Sequence, residues 1–135
     1  MCGIVSYYGK KNSIPFLING LRRLEYRGYD SAGIAIMKDG SIEAVKKAGK
    51  VDKLDKKIKE SPINGSIGIA HTRWATHGEP NDINAHPIKS FNGEFAVVHN
   101  GIIENYKELK KILLDKGYKF YTETVSYTHL RAHET

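Results

Sequence analysis

With 135 residues, 40% hydrophobic and 27% charged, the chain has the size and balance of one soluble domain or part of a larger one. A single cysteine excludes an internal disulfide and points to a reducing, cytoplasmic compartment, and no apolar run reaches membrane-spanning length or forms a secretory leader. The net charge of +6 raises nucleic acid as a partner, but the densest basic run, Lys46 to Lys59, is interleaved with Asp52 and Asp55 and carries no aromatic residue to stack on bases. It predicts a solvated helix face and no nucleic-acid binding.

The one cysteine is Cys2. Removal of Met1 is expected ahead of so small a residue, and it leaves a thiol and a free α-amine on the same residue. An α-amine has a pKa of about 8, so part of it is an unprotonated base at neutral pH. A nucleophile beside an N-terminal amine is an established way to activate Ser, Thr or Cys. Taken alone, a lone cysteine is more often a small buried hydrophobe, so the remaining elements must decide.

Residues 2–8, rich in β-branched and aromatic types and ended by Gly9, predict a strand that holds Cys2 at its open end. Ser13 opens a helix with Pro15 in its first turn, an apolar face of Leu17, Leu21 and Leu24, and a stop near Arg27-Gly28. Residues 27–33 are a glycine-rich turn without a phosphate-loop pattern. A strand over 33–38, the turn Asp39-Gly40 and a returning strand over 42–45 form a hairpin. Val51, Leu54 and Ile58 mark a short helix that ends at Ser61-Pro62.

A strand over 67–70 runs into the densest polar stretch, His71 to Pro80, followed by Asn84-Ala85-His86-Pro87. This predicts a loop that holds a polar ligand, with Arg73 able to grip a carboxylate bidentately. His71, His77 and His86 lack zinc-ligand spacing, so no metal is expected. A buried strand over 95–99 leads through Asn100-Gly101 into a helix between Glu104 and Lys116. At that junction an amide side chain and a backbone N–H can form an oxyanion hole. Nucleophile, amine base, carboxylate anchor and oxyanion donors are the parts needed for acyl transfer from an amide.

The runs Cys2-Gly3-Ile4-Val5, Arg22 to Gly33, His71 to Pro80 and His99 to Asn105 closely resemble the class II glutamine amidotransferases. Within that group they resemble the glutamine–fructose-6-phosphate aminotransferases more than the amidophosphoribosyltransferases. The resemblance covers about residues 1–124. It implies an α+β fold, the αββα sandwich of N-terminal-nucleophile hydrolases, with about its first half present. It further implies hydrolysis of glutamine through a thioester on Cys2, with no cofactor. Arg73 would bind the glutamine α-carboxylate with help from Thr76 and His77, Trp74 would belong to a closing loop, Asn100 and Gly101 would form the oxyanion hole, and Arg27 would organise the site near the nucleophile. In full-length relatives, expected to be homo-oligomers, the ammonia goes to a separate isomerase domain acting on fructose 6-phosphate. A non-catalytic basic binding module is the competing reading from another class.

After Thr124 the family pattern continues with an aspartate that holds the substrate ammonium, whereas this chain reads Val125-Ser126-Tyr127. Residues 125–135 resemble no part of the family at that position and are expected to be foreign or frameshifted sequence. A half-domain with open sheet edges and no counter-charge for the ammonium is expected to fold poorly and turn over little glutamine.

Overall fold

A computed structural model describes residues 2–74, 80–101, 103–120 and 122. Its centre is a four-stranded antiparallel sheet built from β1 (Gly3–Tyr8), β2 (Ser31–Lys38), β3 (Ser41–Ala48) and β4 (Ile67–Arg73), in the order β1-β4-β2-β3. β2 and β3 form the expected hairpin. Asp39 and Gly40 lie at φ 51° and 78°, the left-handed pair that a tight hairpin turn requires.

One face of the sheet carries the helices. Ala32, Ile34, Ile36 and Ala70 pack against Leu17, Ile18 and Leu21 of α1 (Ile14–Leu24) and against Val51, Leu54 and Ile58 of α2 (Val51–Glu60). α1 keeps the predicted spacing of apolar residues, and a 3₁₀ turn over Glu25–Arg27 ends it. Arg22 reaches across to α2, pairing with Asp52 and, at 3.0 Å, with Asp55. These exposed pairs add little stability beside the buried core. α2 has no side-chain N-cap. Instead the Tyr29 hydroxyl accepts the Val51 N–H at 2.8 Å and donates to Glu25 at 3.0 Å.

The register puts Cys2, His71, Arg73, Ser31 and Gly33 toward the other face, because side chains alternate along each strand. Residues 80–90 cross this face. An ideal Cβ on Gly33 would lie 2.1 Å from the His86 carbonyl oxygen, so only a residue without a side chain lets the backbone pass so close. β5 (Ile88–Lys89) then pairs with β6 (Ala96–Val97) as a short second sheet, with Ile88 packed on Val97 and Phe120. α3 (Tyr106–Asp115) follows and ends where the Tyr118 N–H meets the Leu113 carbonyl at 3.0 Å. The second sheet covers the first only in part. An apolar groove of about 240 Å³ lies between Phe95 and the residues Met37, Ile42, Ile67 and Ile69, and Ile4, Met37 and Phe95 are exposed. No helix among the described residues is long and apolar enough to cross a membrane.

Three expectations change. His71, Thr72 and Arg73 continue β4 as strand; they do not begin a loop. Their polarity marked a buried strand end, which hydrophobic periodicity alone cannot separate from a turn. Lys46 and Lys47 lie on β3, not on a solvated helix face, and the Lys46 ammonium donates to the Ile83 carbonyl at 2.8 Å. Burial lowers the Lys46 pKa to about 8; Asp82 offsets part of this, and Arg73, Lys57 and Lys89 add repulsion. The strand predicted over 95–99 shortens to Ala96–Val97.

Candidate active site

β1 is an edge strand, and its first residue pairs with Thr72 of β4. Cys2 therefore sits just beyond the paired part of the edge, beside the end of β4. The Trp74 N–H donates to Cys2 Sγ at 3.3 Å, and the thiol faces the Trp74 carbonyl at 3.8 Å. Trp74 is itself 53% exposed, so the contact with the cysteine is made by its backbone on an otherwise exposed residue.

Asn100 comes to the same place from the far side. Its Nδ2 donates to the Cys2 carbonyl at 3.3 Å, and its Oδ1 lies 2.7 Å from His71 Nε2. With Nδ2 assigned as the donor to the Cys2 carbonyl, Oδ1 is placed to accept from a His71 ring that carries its proton on Nε2. His71 is fully buried on β4 and stacks on His86, with ring centroids 4.5 Å apart and 22° between planes. His86 Nδ1 in turn accepts the His99 N–H at 3.3 Å, one residue before Asn100. The Gly33 gap, the histidine pair and the Asn100 loop thus form one continuous support under Cys2.

Both histidines are neutral at pH 7. Burial is the main cause, lowering His71 to about 4 against partial compensation from Asn100 and the His99 backbone. It lowers His86 to about 2, with His71, Arg73 and Lys46 adding repulsion. The sign for stability follows. The unfolded chain takes up protons below about pH 6.5 while the folded chain does not, so folding stability is lost as pH falls from there toward 4. The slope is about 1.4 kcal/mol per pH unit for each histidine. Urea melts at pH 7.0, 6.0 and 5.0 check this, and His86→Leu is expected to flatten the dependence.

Of the other predicted residues, Arg73 is 4% exposed at the end of β4, with its carbonyl accepting the Asp30 N–H at 2.8 Å. Its buried guanidinium faces the same side as Cys2 and His71, suited to a carboxylate partner. Gly101 follows Asn100 at φ 138° and is exposed. Arg27 closes the 3₁₀ turn on the way into β2, half-buried. Thr76 and His77 lie outside the described residues, as does the tail after Thr122. Among the described residues no group of three or more His, Cys, Asp and Glu could hold a metal ion. The sequence suggests His71 and His86 as parts of a polar ligand loop or, less well, as metal ligands, and not as a stacked pair. Their pairing needs β4 and the Gly33 crossing, neither of which a linear pattern displays.

The model of the glutamine amidotransferase domain matches residues 58–135. The chain belongs to this family. It is 57% identical over 124 residues to the glutamine–fructose-6-phosphate aminotransferase (isomerizing) of Clostridium acetobutylicum, covering 92% of this chain and 20% of that protein. The enzyme of the same name from Pyrococcus horikoshii is 55% identical over 124 residues, with 92% and 21% covered. Among solved structures, the glutamine phosphoribosylpyrophosphate amidotransferase of B. subtilis superposes with a TM-score of 0.82 at 26% identity, covering 97% of this chain and 28% of that one. The fold is therefore the α+β architecture of the N-terminal-nucleophile amidotransferases. The chain spans about a fifth of the length of its curated relatives.

Proposed function

We propose that the chain carries the glutamine-hydrolysing half-site of a glutamine–fructose-6-phosphate aminotransferase. The observation that supports this best is the meeting at Cys2 of the Trp74 N–H and the Asn100 amide, held from beneath by His71. With Met1 removed, the α-amine of Cys2 takes the thiol proton, and Sγ adds to the glutamine side-chain carbonyl carbon. Asn100 Nδ2 has a second hydrogen beyond the one given to the Cys2 carbonyl, and this hydrogen and the Gly101 N–H receive the developing oxyanion. The ammonium of Cys2 returns its proton to the departing nitrogen, ammonia leaves, and water cleaves the thioester to glutamate. Arg73, with Thr76 and His77, holds the glutamine α-carboxylate; Trp74 closes over it, and Arg27 steadies the approach. The ammonia serves a fructose 6-phosphate isomerase domain that these residues do not include, in a cytoplasmic homo-oligomer.

Residues 1–124 are read as the start of the amidotransferase domain and 125–135 as a divergent tail, although the family match itself runs through to 135. Likeness to the relatives extends over 124 of the residues, and the open groove beside Phe95 leaves apolar surface uncovered. Turnover by this chain is accordingly expected to be slight. The test is exposure of the purified protein to the chloroketone analogue of glutamine, followed by intact mass. A single adduct at Cys2, slowed by added glutamine, supports the proposal; labelling spread over other residues, or unaffected by glutamine, rejects it. The same spectrum reports whether Met1 is gone and whether the tail is as written, while robust glutamate release would overturn the expectation of slight turnover. Asn100→Ala is expected to slow the glutamine-directed labelling by about 10²-fold, the usual cost of one oxyanion donor, as measured by the time course of adduct formation.

A further inference from the structure

We propose that His71 is a positioning residue that fixes which end of the Asn100 amide faces the reacting carbonyl. The inference rests on the glutamine-hydrolysis reading above and adds a residue to it. Asn100 is exposed on a loop, and the two ends of its amide are nearly the same size, so sterics alone do not choose between them. The choice has consequences. With Nδ2 toward Cys2 the amide offers a donor to an oxyanion; turned over, it offers an oxygen that repels both the oxyanion and the Cys2 carbonyl.

With its proton on Nε2, His71, 2.7 Å from Oδ1, permits only the first arrangement. The ring is held to that task from three directions. β4 lies between β1 and β2, with Ile4 and Gly33 as the register partners of His71. His86 stacks on the ring. The His99 N–H to His86 bond ties down the backbone next to Asn100. A leucine at position 71 would fill a buried site at lower desolvation cost. A fully buried imidazole whose Nε2 is bonded across the site to Asn100 is instead placed for that contact.

Three variants and two reagents test this. In the directed reaction Sγ bonds to the chloroketone methylene, chloride leaves, and the thiol proton goes to the amine base. The reagent's carbonyl gains oxyanion character on the way. Iodoacetamide alkylates the same sulfur with no call on Asn100. His71→Leu is expected to slow glutamine-chloroketone labelling about 10-fold or more while the iodoacetamide rate stays within about 2-fold. His71→Gln, which returns an N–H near the Nε2 position, is expected to recover most of the loss; Asn100→Ala combined with His71→Leu should be no slower than Asn100→Ala alone. Equal slowing with both reagents, no slowing, or failure of His71→Gln to exceed His71→Leu overturns the proposal. Nitrogen-15 NMR of the ring gives a readout independent of catalysis: an Nε2–H tautomer that is perturbed by Asn100→Ala supports the bond, and an Nδ1–H tautomer overturns it. If the unsubstituted chain shows no preference for the glutamine chloroketone over one built on phenylalanine, the glutamine reading fails, and the NMR result still decides the bond.

Discussion

Replacing Cys2 with alanine is expected to abolish glutamine-directed labelling and reduce any glutamate release to background. The substitution removes about one sulfur's volume from a half-exposed strand end, so urea stability should change by less than about 1 kcal/mol. A loss of activity without a loss of fold separates a nucleophile from a core residue. A stricter form retains the sulfur and withdraws the base: a chain that keeps Met1, made by placing a bulky residue after it ahead of Cys2, has an amide where the amine stood. It should still react with iodoacetamide and lose at least about 10²-fold in the directed reaction, the ordinary range for a general base. Equal labelling of the free and extended forms by the glutamine chloroketone would remove the amine from the mechanism. The scaffold favours a demanding geometry here, because Cys2 is the first residue beyond a paired edge strand and Trp74 supplies an N–H to its sulfur at 3.3 Å.

The second large effect is expected at Gly33, far from any reacting atom. Its backbone is ordinary strand, so alanine meets no conformational penalty there. The added methyl would instead fall 2.1 Å from the His86 carbonyl oxygen, a backbone atom that cannot rotate away. Relief requires the 84–87 crossing to lift off β2, and we expect Gly33→Ala to cost about 3 kcal/mol in urea melts. Because His86 stacks on His71 and binds the His99 N–H, the lift should also disturb Asn100 and slow directed labelling. Gly28→Ala is the matched control. Gly28 lies at φ 78° and ψ 136°, close to a conformation open essentially to glycine alone, with nothing within 4 Å of an added Cβ, so its cost should be backbone strain alone, about 1–3 kcal/mol. If the two variants destabilise equally and label equally, the crossing is not the support described.

Much of the scaffold was legible in the sequence because it rests on local physics. Asp39-Gly40 specifies a tight turn through its left-handed pair, and Val51, Leu54 and Ile58 specify a helix face through their spacing. The meeting of Cys2 with Asn100 was not legible in either residue alone, since a lone cysteine and an Asn-Gly pair each have commoner structural readings. The polar run His71 to Arg73 was misread as loop, since a strand whose site-facing residues are polar has no apolar alternation to reveal it. The histidines were visible but their task was not: residues 71 and 86 are joined by a loop that passes over Gly33, and that approach is a property of two backbones.

By itself, then, the sequence determined most of the elements and the family, because turn chemistry, periodicity and motif identity are carried by neighbours in the chain. The tertiary structure alone decided that the Trp74 N–H reaches Cys2 Sγ, that the Lys46 ammonium meets the Ile83 carbonyl, and that His71 Nε2 lies against Asn100 Oδ1. Each of these depends on hydrogen bonds between segments 29 to 72 positions apart, and such contacts exist only once the sheet has formed.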